Sequence, residues 1–124
     1  MKRVFLAIPA ETTLEFIDNY DTIRDALYQE RINWVHKDNL HLTLHFFGET
    51  SSDLINEIIS NVKSVLSGFR QFKVIFKTLG VFKNIQQPRV IWIGCTDQNQ
   101  IKALKDKLDE VFRKSGISTE DRDF

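Results

Sequence analysis

The chain has 124 residues, 42% hydrophobic and 27% charged, which bounds it as one domain with enough apolar side chain to bury a core. Lys and Arg (17) balance Asp and Glu (17), so it lacks the basic excess that coats long nucleic acid, although a site for one or two phosphates stays open. The single cysteine, Cys95, excludes a disulfide framework within the chain and fits a reducing, cytoplasmic setting; no apolar run approaches the ~20 residues of a bilayer span.

Arg3–Ile8 (RVFLAI) reads as a buried strand ended by Pro9. Lys2-Arg3 followed by about seven apolar residues sits at the bottom of the range for an export signal, and an acidic, amphipathic stretch follows at once. Thr12 or Thr13 can cap a helix to about Gln29, with Leu14, Ile17, Ile23, Ala26 and Leu27 near helical spacing. Ile32–Val35 reads as a short extended piece, and Leu40–Phe47 as a strand closed by Gly48. Thr50-Ser51-Ser52-Asp53 opens a second helix in the manner of a capping box, with Leu54, Ile55, Ile58, Ile59, Val62 and Leu66 inward and Gly68 as its stop. Phe72–Leu79 alternates as a half-exposed strand, Asn84–Pro88 is turn-rich, and Arg89–Cys95 is another buried strand containing Cys95 as a small core residue. Gln98–Lys114 is a third amphipathic helix, with Ile101, Leu104, Leu108, Val111 and Phe112 inward and Gly116 at its end. The order βαββαββα fits an α+β sandwich with helices on mostly antiparallel sheets. RVFLAI at Arg3 and RVIWIG at Arg89 form a faint repeat at an offset of 86 positions, each strand leading into a helix.

The chemistry concentrates in NLHLTLHFFGE, Asn39 to Glu49. Residues two apart in a strand share a face about 6–7 Å apart, so His41, Thr43 and His45 point one way and Leu42, Leu44 and Phe46 the other. An imidazole and a hydroxyl so placed can converge on one phosphate, the ring moving a proton and the hydroxyl donating to a non-bridging oxygen. On the bare H-x-T pattern alone, a polar pair facing solvent on a one-sided sheet is the favoured reading. A strand sets His41 and His45 about 13 Å apart, too far for two ligands of one zinc, so a metal site is not expected. His36 reads as a surface-loop residue. Phe5, Phe82 or Trp92 could stack a base and Arg89 could meet a phosphate, although core packing or a strand edge accounts for each.

Taken with its flanks, NWVHKDNLHLTLHFFGE resembles the first signature of the 2H phosphoesterase superfamily, and most closely the 2′-5′ RNA ligase or RNA 2′,3′-cyclic phosphodiesterase branch. RVFLAIP near the start and GVFKNIQQPRVIWIG from Gly80 to Gly94 also resemble that family, in the same order along the chain. The resemblance implies two β-α-β lobes with mostly antiparallel sheets, helices packed outside, and one H-x-T strand from each lobe. It implies opening of a 2′,3′-cyclic phosphate at an RNA end, or of a small cyclic nucleotide, to a 2′-phosphate without metal or cofactor. One histidine would act as general acid and another as general base. By the same resemblance His41 is the proton donor, Thr43 holds phosphate oxygens, and the motif His41-Leu42-Thr43-Leu44 binds substrate.

The second H-x-T motif of that pattern is not in the sequence: the repeat offset carries His41 to position 127, and the chain runs to Phe124. The expectation is an incomplete single domain with the first lobe and part of the second, and little activity by itself. A competing expectation is a non-catalytic α+β module that binds RNA or protein, although no RNP1-type run is present. Which RNA is processed and whether the chain dimerises are open at this level.

Overall fold

The computed structural model describes residues 1–11, 13–32, 34–82, 90–95 and 98–120, the side chains of 77–93 excepted. In chain order it has β1 (Lys2–Pro9), α1 (Leu14–Ala26), a 3-10 turn (Lys37–Asn39), β2 (His41–Thr50), α2 (Ser52–Ser67), β3 (Phe76–Phe82), β4 (Val90–Cys95) and α3 (Gln98–Lys114). The class is α+β, consistent with a 2H phosphoesterase-like fold. Of the short extended piece expected at Ile32–Val35, the described residues 32, 34 and 35 have no regular structure and lead into the 3-10 turn; Asn33 lies outside the described residues. The expected turn at Asn84–Pro88 lies outside the described residues.

Two compact units divide the chain, and each draws on segments far apart in sequence. One comprises the described residues of Met1–Ile8, Thr43–Val74 and Asp97–Phe124; the other comprises those of Pro9–Leu42 and Ile75–Thr96.

The first unit holds the core. α3 buries Ile101, Leu104, Leu108 and Phe112, and α2 buries Ile58 as the two helices pack together. The periodicity of α3 set these bounds unaided: its inward residues all fall within one helical stripe. α2 departs in detail. Ser51 rather than Thr50 is its N-cap, accepting from Leu54 N at 3.3 Å. Thr50 is instead the buried last residue of β2, its hydroxyl donating to Gly48 O at 2.9 Å. Ile59 (45% exposed) and Leu66 (51%) face outward, because both lie roughly 80–100° round the helix from the stripe centred on Ile58.

A Schellman turn ends α3, with Gly116 N donating to Arg113 O at 3.1 Å and Ile117 N to Phe112 O at 2.9 Å. Gly116 takes φ +73°, the left-handed region where a Cβ is strained, and Ile117 is buried just beyond it. The chain then returns to β2: Glu120 N donates to Phe46 O at 2.7 Å in an antiparallel bridge.

β1 and β2 are hydrogen-bonded neighbours. Ala10 N donates to Leu40 O at 2.9 Å and Phe5 lies beside Phe46, so sequence numbers rise on one strand as they fall on the other, as in an antiparallel pair. RVFLAI is half-buried rather than buried, since one face of β1 stays open and Phe5 is 49% exposed. β2 does not stop at Gly48; that residue at φ +71° lets the strand bend and continue to Thr50.

In the second unit, β3 and β4 pair antiparallel from Phe82↔Val90 to Phe76↔Cys95, with an irregularity between Phe76 and Thr78. The strand expected from Phe72 therefore begins four residues later, although residues 72–76 still alternate half-buried and exposed. Cys95 is half-buried at the end of β4 rather than fully in the core. α1 is capped by Thr13, whose hydroxyl accepts from Phe16 N at 3.1 Å, and it buries no residue fully. Its half-buried stripe is Phe16, Ile17, Tyr20 and Ile23, continuing to Leu27. Leu14 and Ala26, expected inward, are exposed because they lie roughly 100° or more round the helix from that stripe. Leu27 is the C-cap, so the helix ends before Gln29. Among the described residues no helix is long and apolar enough to cross a membrane.

Candidate active-site strand

His41 opens β2, and a short relay of side-chain contacts to rings and backbone sets its position. Tyr20 of α1 donates its hydroxyl to Val35 O at 2.6 Å, while Trp34 meets the Tyr20 ring edge-on at 5.9 Å. His36 then caps the 3-10 turn, its Nδ1 accepting from Asp38 N at 3.2 Å, which gives the expected loop histidine a structural task. The turn delivers Asn39, whose carbonyl lies 2.7 Å from His41 Nδ1. A carbonyl can only accept, so Nδ1 of His41 carries the proton and proton exchange falls to Nε2. Leu40, between them, is tied to the end of β1 through Ala10. The ring itself is exposed.

Thr43 follows two residues along the strand and is half-buried; its hydroxyl makes no hydrogen bond among the described residues. Leu42 is half-buried and Leu44 buried, giving the strand its apolar anchorage. Phe5 packs its ring 6.3 Å from Phe46 at a tilt of 39° and keeps about half its surface exposed. Arg89 lies outside the described residues. Phe82 ends β3 opposite Val90, and Trp92 pairs with Gly80, but the side chains of both lie outside the described ones.

The third histidine has a different setting. His45 is 3% exposed, and its Nε2 sits 2.5 Å from Asp109 Oδ1 on α3. Lys105 Nζ lies 3.4 Å from the other carboxylate oxygen. Phe112 meets the imidazole edge-on at 5.2 Å and Phe47 stacks on it at 6.2 Å. Its Nδ1 is buried with no hydrogen-bond partner among the described residues. Burial lowers its pKa from 6.5, against the raising effects of the Asp109 hydrogen bond and charge, with a further small lowering by Lys105. The ring is thus held neutral, with Nε2–H donating to Asp109. The sequence pattern placed His45 on a strand but did not find Asp109. The available signal was a carboxylate at the rim of the α3 stripe, one residue past Leu108.

An α+β chain with an exposed histidine and a hydroxyl two residues apart on one strand has the elements of a phosphoester-handling site. A sequence model of the LigT-like phosphoesterases matches residues 6–92, a stretch containing both His41 and Thr43. An RNA 2′,3′-cyclic phosphodiesterase from Methanothermobacter thermautotrophicus is 32% identical over 124 residues, covering 98% of this chain and 66% of that protein. Proteins of the same name from Thermotoga maritima (34% identical, 72% of this chain, 48% of the relative) and Methanocaldococcus jannaschii (30%, 95% and 64%) are also similar. The chain belongs to the LigT-like phosphoesterase family. It spans about half to two thirds of the length of these curated relatives.

Proposed function

We propose that these residues form part of an RNA 2′,3′-cyclic phosphodiesterase that hydrolyses a terminal cyclic phosphate to a 2′-phosphate. The observation that carries this reading is the His41 ring, exposed on an H-x-T strand and oriented through Nδ1 by the Asn39 carbonyl. Held so, the imidazolium can give its Nε2 proton to the departing 3′ oxygen as the P–O3′ bond breaks, and the neutral ring stays anchored to Asn39. The Thr43 hydroxyl donates to a non-bridging oxygen. Water supplies the incoming oxygen and gives its proton to a general base on the opposite side of phosphorus.

That base is neither His36, which caps the 3-10 turn, nor His45, which is buried against Asp109. On this reading the 124 residues carry the first H-x-T lobe and part of a second, and have little turnover by themselves. The names of the relatives and the family match support RNA ends with a cyclic phosphate as substrates. The test is conversion of a 2′,3′-cyclic-phosphate RNA by the complete gene product, followed by mass spectrometry. His41→Ala is expected to slow it by about 10²–10⁴, the usual contribution of a proton-transfer residue. An unchanged rate would remove His41 from the mechanism. RNA binding without turnover in the unsubstituted protein would instead favour a non-catalytic module.

A further inference from the structure

A net charge of zero conceals a segregation of charge along the sequence. Between Ile58 and Thr96 stand six basic residues (Lys63, Arg70, Lys73, Lys77, Lys83 and Arg89) and no Asp or Glu. The 57 residues before them carry ten acidic and five basic side chains.

In the first unit, part of this basic stretch leaves α2 at Gly68 and becomes an aromatic–basic surface. Phe69 and Phe72 are half-buried and meet edge-on at 5.9 Å, anchoring an otherwise irregular segment. Arg70 and Lys73, beside them in sequence, are exposed. α3 adds Lys107, whose ammonium lies 5.7 Å from the centre of the Phe69 ring. Among the described residues none of the three cations is in an ion pair. The acidic groups near Lys107 on α3 are Asp106, Asp109 and Glu110. Asp109 is bound to His45 and Lys105, and Glu110 to Lys114 at 2.9 Å. Three exposed cations in no ion pair among the described residues, of which Lys107 also acts through its charge on Glu110, stand beside partly exposed rings and match the pairing of phosphate tracking and base contact by which proteins hold single-stranded nucleic acid.

We propose that Arg70, Lys73 and Lys107, with Phe69 and Phe72, form a docking surface for the body of a single-stranded RNA, separate from the chemistry at its end. The proposed function enters only in the choice of RNA as the polymer. The experiment is fluorescence anisotropy with a labelled single-stranded RNA ending in a plain 3′-hydroxyl, so that no cyclic phosphate contributes. Arg70→Glu/Lys73→Glu is expected to weaken binding at least tenfold at low salt. It should also reduce the slope of log affinity against log salt by about 1.4, since each phosphate contact on a single strand contributes about 0.7. Lys2→Glu, an exposed reversal on β1, should change neither quantity to that extent. Retained circular dichroism guards against misfolding.

Absence of binding, or equal binding by the double variant, overturns the proposal. So does equally effective competition by polyglutamate, which would mark the surface as one for acidic protein. Hydrolysis of a 2′,3′-cyclic mononucleotide, too small to need this surface, separates the two readings. If the complete gene product binds the RNA through Arg70 and Lys73 but leaves the mononucleotide intact, the docking surface stands and the proposed function falls.

Discussion

Asp109→Ala is the substitution whose consequence follows most directly from the geometry. It removes the acceptor for a buried imidazole whose Nδ1 already has no partner, leaving Nε2–H unsatisfied as well. A buried donor stripped of its partner costs about 1–3 kcal/mol. The Asp109 side chain is 43% exposed, so water can reach part of the vacated space, and the lower half, about 1–2 kcal/mol, is expected. The loss of the Lys105 contact adds only a few tenths, as usual for an i,i+4 pair near the surface. For a chain of this size each kcal/mol lowers the melting temperature by about 3–6 °C. Urea unfolding followed by circular dichroism would read the same change as a lower midpoint with an unchanged slope. His45→Leu/Asp109→Ala removes both partners and should recover much of the loss, because no polar group is then stranded. A cost for Asp109→Ala under about 0.3 kcal/mol, with no recovery in the double variant, would refute the pairing as a source of stability.

The remaining predictions test pH linkage and backbone geometry. His45 takes up its proton near pH 6.5 when unfolded and at lower pH when folded, because burial outweighs the help from Asp109. Between those two values the unfolded state binds more protons, so stability rises with pH and falls on acidification below about 6.5. The slope from this group reaches at most about 1.4 kcal/mol per pH unit, and His45→Leu should flatten it; unfolding curves from pH 5 to 8 with an opposite slope for this residue would contradict the assignment. Gly116→Ala meets no atom within 4 Å, so its cost is left-handed strain alone, about 1–2 kcal/mol. Gly48→Ala adds a contact at 3.0 Å with Glu120 Oε1, and should cost at least as much, with Glu120→Ala relieving the excess; chemical unfolding of the three variants checks the order.

Much of this fold was legible where one local signal dominated. α3 runs over the residues its apolar period marks, because Ile101, Leu104, Leu108 and Phe112 are buried on one stripe. Boundaries shifted where two signals were close. Thr50 and Ser51 can both cap a helix, and tertiary burial of Thr50 decided for Ser51. Gly48 reads as a stop, yet a glycine at positive φ also permits a bend within a strand. Phe72 to Ile75 have a strand-like pattern, but Phe72 is anchored to Phe69 just upstream, and the strand itself begins only at Phe76. Within the candidate site, the placement of His41 and Thr43 two residues apart on one strand was readable from the alternation. The contacts that set their surroundings were not, since Tyr20 reaches Val35 across 15 positions and His45 reaches Asp109 across 64.

The two histidines of β2 show why residue type and strand position do not define a catalytic group. Both lie in the same apolar run four residues apart, and alternation alone gives them equivalent faces. Their hydrogen bonds assign opposite tautomers: His41 is protonated on Nδ1 by its approach to Asn39 O, whereas His45 is protonated on Nε2 by its approach to Asp109. On the proposed function, proton transfer by His41 falls to the other ring nitrogen, Nε2, of an exposed side chain. His45 would have to exchange at Nδ1, which is buried without a partner among the described residues, and burial opposes the charge more than Asp109 favours it. A neutral His45 fastening β2 to α3 and an exposed His41 at the strand's start are thus complementary assignments, and exchanging their roles would require repacking Phe47 and Phe112 around a buried cation.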